Sequence, residues 1–480
     1  MGTLEERIEE AKRKKALIDE SYRDTLSTVD DEGKRVWVFP KKVVGKYFNY
    51  RTIVSLFLLV FLFGAPIIKI DGEPLLLFNV LERKFVLFGQ VFWPQDFHLF
   101  VLAMISFIVF IILFTVVYGR IFCGWICPQT IFMEGVFRKI EYWIEGDWTN
   151  QKKLRNDPWT TEKIIKKGSK HAIFFFISFL IANTFLAYII GIENLIEIIT
   201  DNPAEHMVGL ASITVFSFAF YFVFSRLREQ VCTTICPYGR LQGVMLDKNS
   251  IVVAYDYVRG ESRAKFKKGE TRLEAGKGDC IDCKQCVHVC PTGIDIRNGT
   301  QLECINCTLC IDACDHMMDG VGLPKGLIRY ASEDMIQTGR PFRFTTRILA
   351  YTAVLALLVG ITSFLLVSRS EVETLILRTP GSTYTRLDDG TYQNLYNFKI
   401  INKTNKDLNI RLESPDPDFR LQLVGEMQVV KAQSVGEGAL FLFYPGDKIK
   451  HLKTEVEIKV MDGERIVETI ETNFLGPVKK

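Results

Sequence analysis

The sequence predicts a multidomain membrane protein: a five-helix transmembrane bundle, an α+β domain between the fourth and fifth spans, and a C-terminal all-β sandwich. Three observations predict it. Five stretches are apolar and poor in charge, all twelve cysteines fall between positions 123 and 314, and the terminal region from 370 onward alternates apolar and polar residues.

The spans expected are 52–70, 99–119, 172–191, 207–224 and 348–367, each long enough to cross about 30 Å of hydrocarbon as a helix. The second runs LFVLAMISFIVFIILFTVVYG without a charge, where a buried soluble helix would show a polar edge. Pro66 and Lys69 sit near one end of the first, where a kink and a snorkelling amine are tolerated. Residues 76–92 are too charged at their centre to span, with Glu82, Arg83 and Lys84, and read as an interfacial hairpin.

Lys plus Arg number 12 in residues 1–51, 2 in 71–98, 10 in 120–171 and none in 192–206, so the positive-inside rule orients the chain. The N-terminus, the 120–171 loop and the 225–347 segment are expected in the cytoplasm. The acidic 192–206 loop and everything after the fifth span are expected outside, in the periplasm of a bacterium whose inner membrane holds the chain. The first 50 residues are hydrophilic and no signal peptide is expected. A net charge of +3 over 480 residues, with the basic residues gathered in particular loops, gives no case for nucleic acid.

The expected domains are an N-terminal segment 1–51, a four-span region 52–247, a soluble domain 248–346, the fifth helix 347–369 and a sandwich 370–480. Segments such as YQNLYNFKIINKT and TEVEIKVMDGERIVETIET, separated by Asn, Asp, Gly and Pro turns, predict an immunoglobulin-like sandwich without an intersheet disulfide, since no cysteine lies there. The sequon at Asn402 reads as a strand-end turn unless the host glycosylates exported chains.

Cys280, Cys283, Cys286 and Cys290 followed by Pro291 form C-x2-C-x2-C-x3-C-P, and Cys304, Cys307, Cys310 and Cys314 repeat the spacing. This is the run of bacterial two-cluster ferredoxins, in which the fourth cysteine of each run serves the other cluster. One 4Fe-4S cluster is therefore expected on Cys280, Cys283, Cys286 and Cys314, and a second on Cys304, Cys307, Cys310 and Cys290. Zinc tolerates many spacings, but two tandem runs of this form favour iron–sulfur. Asp315 replaces the proline of the second run, which alters the turn but no ligand. His288 and His316 read as surface or neighbouring side chains, each cube already having its thiolates.

Two further pairs stand where the second and fourth spans end: Cys123-Gly-Trp-Ile-Cys127-Pro128 and Cys232-Thr-Thr-Ile-Cys236-Pro237. On a helix, cysteines four apart share a face, and the proline loosens or ends that helix. Each pair leads into a short amphipathic piece, Gln129 to Trp143 and Tyr238 to Asp247. Two such units side by side would bring four thiols together, suited to Cu(I), zinc or an iron–sulfur cluster. The plain alternative is that cysteine is a good small buried hydrophobe. His98 and His206 begin the even-numbered spans, with Met207 beside the second; they are candidate copper or quinone contacts, or interface anchors.

These motifs together, CGWICP, CTTICP, the double ferredoxin run, a fifth span and an exported sandwich, resemble the CcoG/FixG/RdxA family, accessory proteins of cbb-type cytochrome c oxidase assembly. Membrane ferredoxins of the NapH type share the cysteine motifs but are not expected to carry the sandwich. The resemblance implies a membrane iron–sulfur Cu(II) reductase supplying Cu(I) to the oxidase, with copper as well as the two clusters. Carried over, Cys123, Cys127, Cys232 and Cys236 are the copper-handling or relay thiols, and the eight ferredoxin cysteines hold the electron-supplying clusters. Its expected partners are membrane lipid, copper ions, oxidase assembly factors or copper chaperones, and an electron donor the sequence does not specify; self-association as a homo-oligomer is left open. The alternatives are a quinol-linked membrane ferredoxin serving another reductase, a copper chaperone whose clusters sense redox state, or a third cluster on the four span-end cysteines.

Overall fold

The structure, a computed structural model, describes the chain apart from residues 1–8, 10–26, 31, 71, 82–83, 94–95, 273, 382, 405, 426–428, 450 and 478–480. Most of the hydrophilic N-terminal segment, with Glu82 and Arg83, thus lies outside the described residues. Two compact units are present: residues 1–68 with 101–359, and 69–100 with 360–480.

Five helices among the described residues are long and apolar enough to cross a membrane: Lys46–Gly64, Phe97–Tyr118, Thr161–Ile190, Met207–Leu227 and Thr346–Val367. The first begins six residues before the expected start and stops before Pro66 and Lys69. Its start is fixed by Asp312, whose carboxylate accepts the N–H groups of Tyr47 (3.1 Å) and Phe48 (2.7 Å). A helix leaves its first N–H groups unpaired, and a carboxylate there also meets the positive end of the helix dipole. Gly45 permits the approach, because a Cβ there would overlap the Asp312 carboxyl group.

In the first unit the strands Val252–Tyr255 and Ile328–Ala331 pair antiparallel and carry the cysteine runs between them. Their buried residues, Val253, Tyr255, Ile328 and Ala331, join Ile281, Ile294, Ile311 and Met318 in one apolar core. Beside the third and fourth spans, a buried ion network adjoins an apolar cluster of Phe137, Phe174 and Phe224. Arg228 grips Glu141 through two bonds of 2.7 and 2.9 Å, and Lys170 reaches Glu145 at 2.9 Å. All four residues are buried. Burial opposes ionisation of Glu141, yet Arg228, Lys170 and Arg138 hold its pKa down at about 2.

In the second unit, one sheet has the strand order Arg420–Val424, Val435–Pro445, Thr391–Asn402, Val372–Arg378, with Thr385–Arg386 also on Thr391–Asn402. The other has Ile410–Glu413, Lys453–Asp462, Arg465–Leu475, and every pairing is antiparallel. Alternate residues of both sheets, among them Tyr396, Ile400, Leu440, Leu442, Ile458 and Phe474, fill a shared core, as a sandwich requires. Asn402 is fully buried and donates to the carbonyls of Lys406, Val430 and Lys431, so its amide is structural and closed to a glycan.

Residues 76–92 form more than a hairpin: Leu76–Asn79, Lys84–Leu87 and Gln90–Phe92 make a three-stranded antiparallel sheet. It belongs to the same unit as the sandwich. The buried Asp96 takes ion pairs from Arg369 (2.6 Å) and Lys403 (2.8 Å), and Arg369 also donates to the Val91 carbonyl. Charge at 82–84 marked this segment as unable to span, but its partners lie hundreds of residues away, beyond the reach of local pattern.

Two outcomes are expected. Asp312→Ala should lower stability by about 1–2 kcal/mol, read as the thermal midpoint in detergent, because it removes both a cap and a dipole partner. Glu141→Gln should cost about 3–5 kcal/mol at neutral pH, leaving the buried Arg228 only the longer contact to Glu229 at 3.5 Å. As the folded pKa of Glu141 is depressed, that contribution is present above about 4.5 and fades as pH falls toward about 2, so the gap between variant and wild type should close on acidification.

Candidate electron-transfer site

The two cysteine runs fold alike. Asp282 and Lys284 in the first, and Asn306 and Thr308 in the second, all have positive φ, between 52° and 67°. Left-handed residues alternating with right-handed ones turn successive N–H groups toward one point, a concavity that receives an anion. For Thr308, a β-branched residue, the conformation is costly and has to be held by its surroundings.

The thiols wall two cavities. Cys280, Cys283, Cys286 and Cys314 line one, with Tyr255, Met318 and Leu327. Cys290, Cys304, Cys307 and Cys310 line the other, with Ile294, Ile296 and Thr292, and Cys286 borders both. The structure thus gathers each set of four that the spacing predicts. Burial raises the Cys304 thiol to about 11 and the Cys307 and Cys314 thiols to about 12. Such thiols keep their protons unless a metal centre takes their place, which fits donor sets for an iron–sulfur cube.

After Cys290, Pro291 turns the chain, but after Cys314 the helix Leu309–Val321 continues through Asp315. Asp315 then accepts the Gly326 N–H at 2.9 Å, which a proline could not do. His288 stacks on Trp148 at 4.9 Å and His316 is exposed. Neither lines a cavity of the thiols.

The span-end motifs differ from a shared helical face. Cys123 lies in the short helix Ile121–Trp125, but Cys127 and Cys236 are extended residues that precede new helices beginning at Pro128 and Pro237. Each proline both ends one helix and starts the next: it drives the preceding cysteine out of the helical region, while its φ suits a first turn in which its missing N–H is not needed.

The four span-end thiols nevertheless influence one another. Burial raises Cys123 to about 11, against the pull of Arg120, and the charges of Cys127 and Cys236 add to the rise. Burial likewise raises Cys232 to about 12, reinforced by Cys127, Cys123 and Cys236. Gln242 ties the two motifs together, its Oε1 accepting from Cys123 Sγ at 3.1 Å and from Arg120 Nε at 2.9 Å. Thr115 and Tyr238 form a second tie at 3.1 Å.

This group is seated on the second cysteine run. Cys123 packs in one buried core with Ile305, Cys307 and Leu309, and Cys232 and Cys310 pack against it. A Cβ at Gly124 would overlap the Ile305 carbonyl oxygen and come within 2.9 Å of the Asn306 backbone. Arg120, 3% exposed, donates to the Leu302 carbonyl just ahead of Cys304. Sequence reasoning passed over Arg120, Gly124, Gln242 and Asn306. The available signals were a glycine inside the first C-x3-C and an arginine at a span end, both of which have commoner explanations.

His98 and His206 do not join this site. They fall in different compact units; both are on the protein's surface, and His206 lies 3.2 Å from Asp201. Among the described residues, no three His, Cys, Asp or Glu side chains converge closely enough to hold a single metal ion.

Comparison with known proteins accords with this arrangement. Family models described as a 4Fe-4S dicluster domain and a 4Fe-4S binding domain match residues 227–333 and 100–151, and one described as an IG-like fold at the C-terminal of FixG matches 362–477. Protein RdxB of Cereibacter sphaeroides is 36% identical over 421 residues, covering 83% of this chain and 86% of its own. The nitrogen fixation protein FixG of Rhizobium meliloti is 33% identical over 470 residues, 88% of this chain and 87% of its own. The chain belongs to the FixG/RdxA family. Protein RdxA of C. sphaeroides, another member, is 35% identical over 397 residues, 79% of this chain and 82% of its own. A crystal structure of a FixG-related protein from Vibrio parahaemolyticus aligns with 22% of the chain and 97% of its own at 19% identity, with a TM-score of 0.19, too low to bear on the fold. This FixG/RdxA-family chain is therefore a multi-pass membrane protein with 4Fe-4S domains and an electron-transfer role.

Gly124→Ala should destabilise the protein by about 1–3 kcal/mol through overpacking at Ile305. Gly168→Ala, where a Cβ meets open space, is the matched control and should leave the thermal midpoint unchanged or slightly raised.

Proposed function

We propose that this chain is a Cu(II) reductase that supplies Cu(I) for assembly of a cbb-type cytochrome c oxidase. The observation that supports it most is the packing of Cys123 and Cys232 with Cys307 and Cys310 in one apolar core, which brings soft metal ligands beside a ferredoxin quartet. In this reading Cys280, Cys283, Cys286 and Cys314 hold one 4Fe-4S cluster, and Cys290, Cys304, Cys307 and Cys310 hold the other. When bound, such clusters supply single electrons at low potential, one for each Cu(II) converted to Cu(I).

Cys123, Cys127, Cys232 and Cys236 receive the copper. The raised pKa values of Cys123 and Cys232 mean that protons leave as the metal binds, and thiolate ligation favours the Cu(I) product over Cu(II). Arg120 offsets part of the negative charge that develops there, while Gln242 holds Cys123 Sγ in place. By the positive-inside rule this site faces the cytoplasm and the sandwich faces the periplasm, where oxidase assembly factors or copper chaperones would meet it.

A second reading is a third 4Fe-4S cluster on the four span-end thiols. One observation favours it: the family model over residues 100–151, which includes Cys123 and Cys127, is described as 4Fe-4S binding. Iron content separates the two readings, at about eight atoms per chain against about twelve.

The deciding measurement is anaerobic. Reduced protein receives Cu(II), and bleaching of the cluster absorbance is followed beside Cu(I) trapped by a specific chelator. The wild type should yield Cu(I) in proportion to cluster oxidation. Cys123→Ser and Cys232→Ser should keep their ferredoxin absorbance yet yield Cu(I) only at the level of a protein-free control; undiminished yields in both variants would sink the assignment.

A further inference from the structure

A cleft of about 870 Å³ opens at the cluster-side end of the first span, between residues 41–55 and the segment 134–143. Arg51 lines it. This arginine is 6% exposed, and its Nη2 is buried without a hydrogen-bond partner among the described residues. Lys139 lines the same cleft and lies close enough for the two cations to repel each other: its pKa is lowered by burial and then by Arg51. Lys41 and Lys42 add further positive charge; Lys41 Nζ is bonded to Gln285 at 3.0 Å. The one carboxylate among the lining residues, Glu134, is paired with Arg138 at 2.7 Å.

Arg51, buried with an orphaned N–H and also within electrostatic reach of Cys307, faces the exposed Lys139 across the cleft, and an anion between the two would satisfy that N–H and relieve their repulsion. The rest of the wall says what carries that anion. Phe48, Ile53 and the highly exposed Trp143 are apolar or amphipathic, and the cleft lies roughly two turns into a membrane span, at the depth where aromatic residues meet headgroups. Basic pockets of this kind between spans bind the heads of acidic lipids. We propose that the cleft binds the phosphate of an anionic phospholipid, with Arg51 and Lys139 as its ligands and the Trp143 wall along its acyl chains. Leu309, between Cys307 and Cys310, lines the same cleft, so the bound headgroup lies beside the second thiol quartet.

The test uses full-length protein in nanodiscs of phosphatidylglycerol or phosphatidylcholine, followed by delipidation and native mass spectrometry. Phosphatidylglycerol should remain bound and phosphatidylcholine should not. Arg51→Gln and Lys139→Gln should each weaken retention roughly fivefold. Lys139 is solvent-exposed, so its variant should fold even if the Arg51 variant does not, and cluster absorbance reports folding in both. Equal retention of the two lipids, or unchanged retention in a folded Lys139→Gln variant, would overturn the proposal. Millimolar inorganic phosphate is the remaining arm: failure to displace the lipid supports a lipid site, whereas full displacement overturns it in favour of a free anion.

Discussion

The seating of the Cys123-to-Pro128 turn on the Ile305–Asn306 backbone is the constraint on which the electron-carrying unit depends. Backbone meets backbone there, which only a glycine at 124 allows. Because the second cysteine run is part of the contact, the cysteine-rich domain is joined to the span ends at its thiols. Asp312 closes the same contact from the other side, joining the first span to the helix that carries Cys310 and Cys314. Any movement of one span end therefore moves ligands, so the membrane part acts as a wall of the redox site.

Much of this was legible in the residues. Five spans could be found because hydrocarbon imposes length and apolarity on each, a demand that charge-free runs advertise. The two quartets were legible because cubane ligation fixes spacing, and the structure gathers the same sets of four around two cavities. Strand alternation gave the sandwich, since two sheets packed face to face demand a period of two.

What stayed hidden was the work of residues whose partners are distant. Nothing near Asp312 says that it caps a helix 265 residues away, and nothing near Arg120 says that it faces a thiol of the first pair and a carbonyl just ahead of the second run. The prolines after Cys127 and Cys236 end one helix as expected, but local sequence does not say that each also opens a second helix. The buried ion network around Glu141 was equally invisible, for in sequence it is only a scatter of common charged residues. Such a network adds little net stability over apolar packing, but it fixes which partners can sit together.

The pairing of Asp96 with Arg369 and Lys403 has a consequence for how the molecule is made. The partners are 273 and 307 residues further along the chain. A ribosome that has delivered the first two spans has produced the small sheet and its buried carboxylate, but neither cation. That carboxylate stays uncompensated through synthesis of the remaining spans and the cysteine-rich domain, and the second unit closes only when the last crossing has been inserted. Completion of the second unit is in this way a late event, since Asp96 has neither of its cations until the chain beyond the fifth span has been made.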